Sequence, residues 1–132
     1  MVCATTTGLG MNIALPDVCN TPVGPSLVPI PYPNFHSVAS SIPSQFFAFT
    51  SCAPMATMTA LGLVSLGDNV GVGFGVMSGI VASTTRYLLG TFRTLVNGSP
   101  VVRMGHSTIQ NSTNAFGANT IPSQFRLFNL RG

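Results

Sequence analysis

The sequence predicts a small all-β protein, built of three hairpin units around a pseudo-threefold axis and joined by long Pro-rich and Gly-rich loops. Three observations predict it: Gly and Pro punctuate the whole length, apolar residues fall in short runs, and parts of the chain repeat. The hydrophobic fraction is 45 %, which is enough for a core. At 132 residues we expect a single domain spanning residues 1–132.

Short apolar runs bounded by Pro, Gly, Asn or Ser predict strands and turns. These runs are residues 46–50, 91–96, 101–104 and 125–130. Segment 53–66 only partly follows a helical period, so a strand is favoured over a helix there. Segment 20–41 carries five Pro and is expected to be extended and polyproline-like, whereas the Gly-rich segment 70–87 is expected to wrap closely over another part of the chain.

The internal repeat is the most informative feature of the sequence. Segment 46–58 aligns without a gap on segment 92–104, and the pentapeptide Ile-Pro-Ser-Gln-Phe at 42–46 recurs at 121–125. An ordinary β-meander with similar turns is the alternative explanation. The threefold interpretation predicts two inward-pointing layers, the first of Phe46, Phe92 and Phe125, and the second of Phe49, Leu95 and Phe128.

Charge is scarce, since only 5 % of the residues are Asp, Glu, Lys or Arg. The five Arg are dispersed, so the chain does not resemble a nucleic-acid binder. With so little charge, much of the surface is expected to be covered by a partner or to carry Ser, Thr and Asn. The longest apolar run, 70–82, is interrupted by Gly and too short for a bilayer span, so no stable membrane insertion is expected. No signal peptide is visible at the N-terminus. Cys3, Cys19 and Cys52 have no metal-site or disulfide spacing and are expected to be free thiols.

Three segments carry a family resemblance. Segment 97–105, Asn-Gly-Ser-Pro-Val-Val-Arg-Met-Gly, resembles the repeat of the PAAR proteins. Segments 17–22 (Asp-Val-Cys-Asn-Thr-Pro) and 29–34 (Pro-Ile-Pro-Tyr-Pro-Asn) resemble the PAAR-like subgroup marked by Pro-Ile-Pro-Tyr. The resemblance extends from about residue 10 to residue 130.

The resemblance implies a conical β-prism at the tip of a type VI secretion spike, which is a structural protein rather than an enzyme. It would cap the trimeric valine-glycine-repeat spike protein (VgrG), one copy per trimer, and help to deliver an effector, with an effector or adaptor as a further partner. Assembly would take place in the bacterial cytoplasm, and the injection apparatus would export the protein.

The repeat register predicts which end of the prism meets the spike. Each repeated strand runs to a turn and then reverses toward the long loops, so the three turns lie at one end. The predicted docking residues are Ser51, Cys52, Ala53, Asn97, Gly98, Ser99, Asn129, Leu130 and Arg131.

PAAR tips usually bind zinc through three His and one Cys, and this chain departs from that pattern. Cys19, His36 and His106 are expected in tip loops, whereas Cys52 lies in the opposite turn. A closed zinc site needs a fourth ligand, which Asp68 could supply. No metal or cofactor is assigned, because the sequence is explained better by Cys19 as a small buried apolar residue and by the histidines as ordinary loop residues.

Other functions are less well supported by the sequence. A small Cys-dependent or zinc-dependent hydrolase or toxin is the main alternative, although no family signature surrounds any Cys. Asp17 and Asp68 are the only carboxylates available for glycosidase chemistry. The Gly-rich segment 71–79 lacks the Lys-Ser/Thr of a phosphate loop. A self-assembling structural β protein is a third possibility.

Overall fold

The computed structural model describes residues 2–43 and 45–129, and it confirms the predicted all-β fold. Over these residues there is no α-helix, and a single 3₁₀ turn occupies Val38–Ser40. Segment 53–66 is not helical, as expected. The strands are β1 (Val2–Cys3), β2 (Met11–Val23), β3 (Ser26–Ser37), β4 (Ser41–Ile42), β5 (Phe49–Thr50), β6 (Ala53–Pro54), β7 (Leu61–Gly62), β8 (Thr85–Tyr87), β9 (Thr91–Val96), β10 (Ser99–Val101), β11 (Ser107–Gln110), β12 (Ala115–Ile121) and β13 (Phe128–Asn129).

The strands form one large antiparallel sheet and three two-stranded ladders. The large sheet has the order β3-β2-β12-β11-β8-β7-β4, and the ladders are β5–β6, β9–β10 and β1–β13. The long hairpin of β2 and β3 runs from the pair Met11–Ser37 to the pair Val23–Ser26. At about 3.3 Å per residue its turn lies about 40 Å beyond Met11.

The three ladders are related by a pseudo-threefold axis. Phe49 pairs with Pro54, Leu95 with Pro100, and Phe128 with Cys3, so the third unit joins the two ends of the chain. A closed triangle of backbone hydrogen bonds links the units: Thr5 N donates to Val102 O (2.8 Å), Val102 N to Ala56 O (2.9 Å), and Ala56 N to Thr5 O (2.9 Å). Each unit therefore satisfies the edge of the next, which a single hairpin could not do.

A second set of three backbone hydrogen bonds also links the three units, and each of its donors lies two residues farther along the chain than in the first set. Its members are Thr7 N to Pro54 O (2.9 Å), Met58 N to Pro100 O (2.8 Å) and Met104 N to Cys3 O (2.9 Å).

Buried glutamines explain the repeated pentapeptide. The side-chain oxygen of Gln45 accepts from Phe47 N and Ala48 N, both at 2.8 Å, and its amide donates to Ala48 O and Met55 O. Gln124 makes the equivalent four bonds in the third unit, to Arg126 N, Leu127 N, Leu127 O and Ala4 O. Each glutamine side chain therefore links the turn just before its strand to the neighbouring strand, because its amide supplies two N–H donors and one oxygen acceptor.

The prediction of an aromatic core is wrong. Phe46, Phe92 and Phe125 occupy equivalent positions, but they are 66 %, 68 % and 70 % exposed. The second predicted layer, Phe49, Leu95 and Phe128, is also exposed. The axis is too narrow for rings, because the closed backbone triangles bring the strands together. The interior is filled instead mostly by small side chains, together with Tyr87 and Met55, in two clusters: Ala56, Ala60, Tyr87 and Val102, and Ala4, Met55 and Val101.

The Pro-rich segment is extended, but it is paired rather than free polyproline. Pro29 and Pro31 lie opposite Asn20 and Val18 in the long hairpin. Strand β3 is an edge strand of the large sheet, so its prolines need no backbone donor on the open side.

The Gly-rich segment packs closely on β2, as expected. Gly73 N donates to Asn20 O, and Asn20 N donates to Phe74 O. A Cβ on Gly71 would lie 2.3 Å from the Cys19 Cβ, so only glycine fits there. Within the described part of the chain, no helix is long and apolar enough to cross a membrane.

Candidate docking face and buried polar cluster

Six of the predicted docking residues lie at the turns of two ladders, β5–β6 and β9–β10, or directly after them. Ser51 and Cys52 have φ values of 54° and 62°, and Asn97 and Gly98 have φ values of 50° and 75°. Two-residue turns with positive φ match the twist of a β-hairpin. Ala53 and Ser99 follow these turns as the first residues of β6 and β10.

The third ladder pairs the two ends of the chain. Asn129 pairs with Val2, so the N-terminal strand completes the third unit. Leu130 and Arg131, the remaining predicted docking residues, lie outside the described residues.

Six exposed apolar side chains lie on the three equivalent segments 46–49, 92–95 and 125–128, two from each unit, and sequence reasoning placed them in the core. We call these side chains, together with the turns 51–52 and 97–98, the hairpin face. The six are Phe46, Phe49, Phe92, Leu95, Phe125 and Phe128. Exposed apolar side chains recurring at the same positions of three units form a patterned surface rather than scattered exceptions.

The charge next to the hairpin face is positive. Arg93 and Arg126 follow Phe92 and Phe125 directly, and both are exposed. Both aspartates are fully buried elsewhere, so they do not offset these charges at the surface. The hairpin face therefore suits an apolar partner surface with acidic groups at its margin.

A second candidate site is a buried polar cluster along the long hairpin. Asp17, Cys19 and Asp68 each offer a ligand atom, and these atoms all lie within 4.8 Å of one another. All three side chains are fully buried. Strand β2 supplies Asp17 and Cys19, whereas Asp68 comes from the loop before the Gly-rich segment.

Asparagine amides surround the two carboxylates of this polar cluster. Asn34 donates to Asp17 Oδ2 at 2.5 Å, and Asn111 donates to Asp68 Oδ2 at 2.6 Å. Asn114 donates to Asp17 Oδ1 and to Val18 O. These contacts join β2, β3, the loop that contains Asp68 and the loop of residues 111–114.

The environment disfavours the charged forms of two groups in the polar cluster. Burial, and then the neighbouring Asp17, raise the pKa of Cys19 to about 12, so its thiol is protonated and donates to Asp17 Oδ1 at 3.4 Å. Burial raises the pKa of Asp68 above its usual value, although the backbone N–H of Ala82 donates to its carboxylate at 3.1 Å. Among the described residues no cationic side chain hydrogen-bonds to the buried carboxylate of Asp68, so its charged form is expensive to maintain.

The histidines do not join Cys19, and the prediction that Cys19 and His36 lie in tip loops is wrong. Both residues lie within paired strands, β2 and β3, because the Pro-rich segment folds back along β2. The ring nitrogens of His36 contact Val64 O at 2.8 Å and Ser41 Oγ at 2.9 Å. His106 Nε2 accepts from Arg103 Nε at 2.9 Å. The three-His, one-Cys zinc site of PAAR tips therefore does not fit these residues.

Cysteine–histidine catalysis has no support in this geometry. Cys3 is buried in the third ladder, and Cys52 is exposed at a hairpin turn. Cys19 faces carboxylates and amides.

Comparison with known proteins identifies a family. The family model described as the toxin PAAR-like domain matches residues 10–117. The match covers the long hairpin, two of the three ladders and the polar cluster, whereas β1 and β13 lie outside it. No curated protein and no solved structure matches the chain.

Proposed function

Because the chain belongs to the toxin PAAR-like domain family, we propose that it is a non-enzymatic spike-tip protein of the Pro-Ile-Pro-Tyr subgroup. In this proposal one copy caps the trimeric VgrG spike of a type VI secretion apparatus and sharpens it. The observation that carries the proposal is the hairpin face, in which three equivalent units surround one axis.

Symmetry supports a stoichiometry of one chain per trimer. A homotrimer presents three identical surfaces around its axis, and a single chain can match them only if it repeats its own contacts three times. The backbone triangle through Thr5, Ala56 and Val102 places three such units around an axis within one chain.

The chemistry of the hairpin face supports docking by apolar burial. Three phenylalanines, each about two-thirds exposed, would lose contact with water on assembly. Arg93 and Arg126 at the margin would favour acidic groups on the spike and help to set the register.

The same proposal includes the wider role. Assembly takes place in the bacterial cytoplasm, the contractile apparatus carries the tip into the target cell, and an effector or adaptor can ride with it. A toxin activity of the chain itself is the alternative, because the matching family is described as a toxin domain. An assay for hydrolysis or toxicity with and without Cys19, His36 and His106 separates the two.

A matched pair of charge variants tests the docking face. Ser99→Glu places a charge beside a hairpin turn, whereas Ser26→Glu places the same charge at the far turn of the long hairpin. A desolvated, unpaired charge at an interface costs several kcal/mol, so Ser99→Glu should abolish capture by the purified spike trimer, and Ser26→Glu should bind normally. The reverse pattern would show that the far end docks, and failure of the wild-type chain to bind any spike trimer would refute the cap.

A further inference from the structure

The buried polar cluster contains two carboxylates close to each other. Asp17 and Asp68 are 0 % exposed, and the described part of the chain shows no Arg or His among their hydrogen-bond partners. Buried carboxylates are normally paired with a cation or bound to a metal. Amide N–H groups compensate in part, but Asp68 Oδ1 has no hydrogen-bond partner.

Two neighbouring amides also have an unused oxygen. Asn34 Oδ1 and Asn111 Oδ1 are buried and have no hydrogen-bond partner among the described residues, although the nitrogens of the same amides contact the two carboxylates. A half-turn of an amide exchanges its nitrogen and oxygen within almost the same volume. With a cation between the carboxylates, that half-turn would direct the unpaired oxygens of Asn34 and Asn111 at it.

We propose that Asp17, Cys19 and Asp68 form a zinc site, with an amide oxygen of Asn34 or Asn111 as the fourth ligand. The donor chemistry selects the metal. A thiolate excludes Mg²⁺ and Ca²⁺, which prefer oxygen ligands only, whereas Zn²⁺ accepts sulfur and carboxylate oxygen together. On binding, the thiol proton of Cys19 leaves to solvent, and the metal takes the place of the Cys19–Asp17 hydrogen bond.

This site differs in donors from the zinc site that the family resemblance implies, because it uses no histidine. Its ligands come from β2 and from the loop that contains Asp68, and its amides come from β3 and from the loop of residues 111–114. A metal ion here would therefore tie the long hairpin to the loops packed on it. The proposal does not depend on what the hairpin face binds.

Metal content and cobalt spectroscopy of the full chain test the site. The chain purified without chelator should hold about one Zn²⁺, and its melting temperature should fall when the metal is removed with EDTA. The Co²⁺-loaded chain should show a sulfur-to-cobalt charge-transfer band in the near ultraviolet. Cys19→Ser should abolish the band and Asp68→Asn should remove most of the metal, whereas Cys52→Ser, at an exposed turn, should keep both.

Two results would overturn the proposal. Wild-type chain that takes up neither Zn²⁺ nor Co²⁺, and melts identically with and without EDTA, would show that the polar cluster is a metal-free hydrogen-bond network. Bound zinc that survives Cys19→Ser but is lost in His106→Ala would place the metal at the histidine instead. The wild-type measurements decide between a metal site and a metal-free network even if the buried variants fail to fold.

Discussion

Truncation of Phe92 separates folding from docking at a single side chain. Phe92 is 68 % exposed in the isolated chain. Full burial of a phenylalanine side chain contributes about 1.5–3 kcal/mol, so the buried third contributes about 0.5–1 kcal/mol to folding. Phe92→Ala should therefore lower the free energy of unfolding by less than about 1 kcal/mol, well below the roughly 3–5 kcal/mol expected of a core aromatic.

The same truncation should have a larger effect on docking. A phenylalanine offers about 150–250 Å² of surface, so roughly 100–170 Å² of Phe92 remains for a partner to cover. At about 25 cal/mol per Å², covering this area contributes about 2.5–4 kcal/mol at most. Because the alanine keeps part of the contact, we expect a loss of about 2–3 kcal/mol, or roughly 30- to 150-fold in Kd.

Chemical denaturation and a titration with the purified spike trimer measure the two effects. Phe74→Ala is the matched control, since Phe74 is 56 % exposed on the Gly-rich segment, away from the hairpin face. It should leave the Kd for the trimer unchanged. An unfolding cost above about 3 kcal/mol for Phe92→Ala would contradict its exposed position, and equal Kd values for the two variants would refute docking through the hairpin face.

Three further predictions follow from the interior. Gln45→Leu removes four hydrogen bonds and leaves buried backbone groups unpaired, so it should cost about 2–4 kcal/mol in chemical denaturation, whereas a cost below about 1 kcal/mol would contradict the role of the pentapeptide. Gly71→Ala brings a Cβ within 2.3 Å of the Cys19 Cβ and should lower the melting temperature by several degrees; an unchanged melting temperature would contradict the close packing of the Gly-rich segment. Burial lowers the pKa of His106 below 6.5, and the neighbouring Arg103 lowers it further. The contribution of His106 to the free energy of unfolding is therefore complete above pH 6.5 and is lost as the pH falls below that value. His106→Gln should weaken the dependence of stability on pH, and an unchanged dependence would refute the prediction.

The repeat predicted the threefold architecture because residues at equivalent positions of the repeat occupy equivalent positions in the three units. Equivalent residues such as Leu95 and Phe49 end in equivalent ladders, opposite Pro100 and Pro54. The third unit was only half predicted, since its second strand is the N-terminal β1, which carries no recognisable copy of the motif.

Burial was harder to predict than register. A repeated phenylalanine is expected inside a domain, but at this axis the backbone itself forms the contact, and residues as small as Ala56 fill the space. The repeated apolar side chains are therefore exposed at the surface instead of packed in the core.

Among the members of the polar cluster, only Asp68 was anticipated from the sequence as a neighbour of Cys19, because the asparagines are far from both residues in sequence. Asp17 and Asn114 become neighbours only when β2 and the loop after β11 meet. From the sequence, His36 and His106 were considered as partners for Cys19. In the fold, His36 contacts Val64 O and His106 accepts a hydrogen bond from Arg103.

The stoichiometry of the complex with the spike tests the central claim most directly. Native mass spectrometry counts the chains, and an electron cryo-microscopy reconstruction without imposed symmetry places their axis. We expect one chain per trimer. The axis through the Thr5–Ala56–Val102 triangle should coincide with the trimer axis, and the hairpin face should lie against the spike. Three chains per trimer, a chain bound off the axis, or the far turn of the long hairpin against the spike would contradict it.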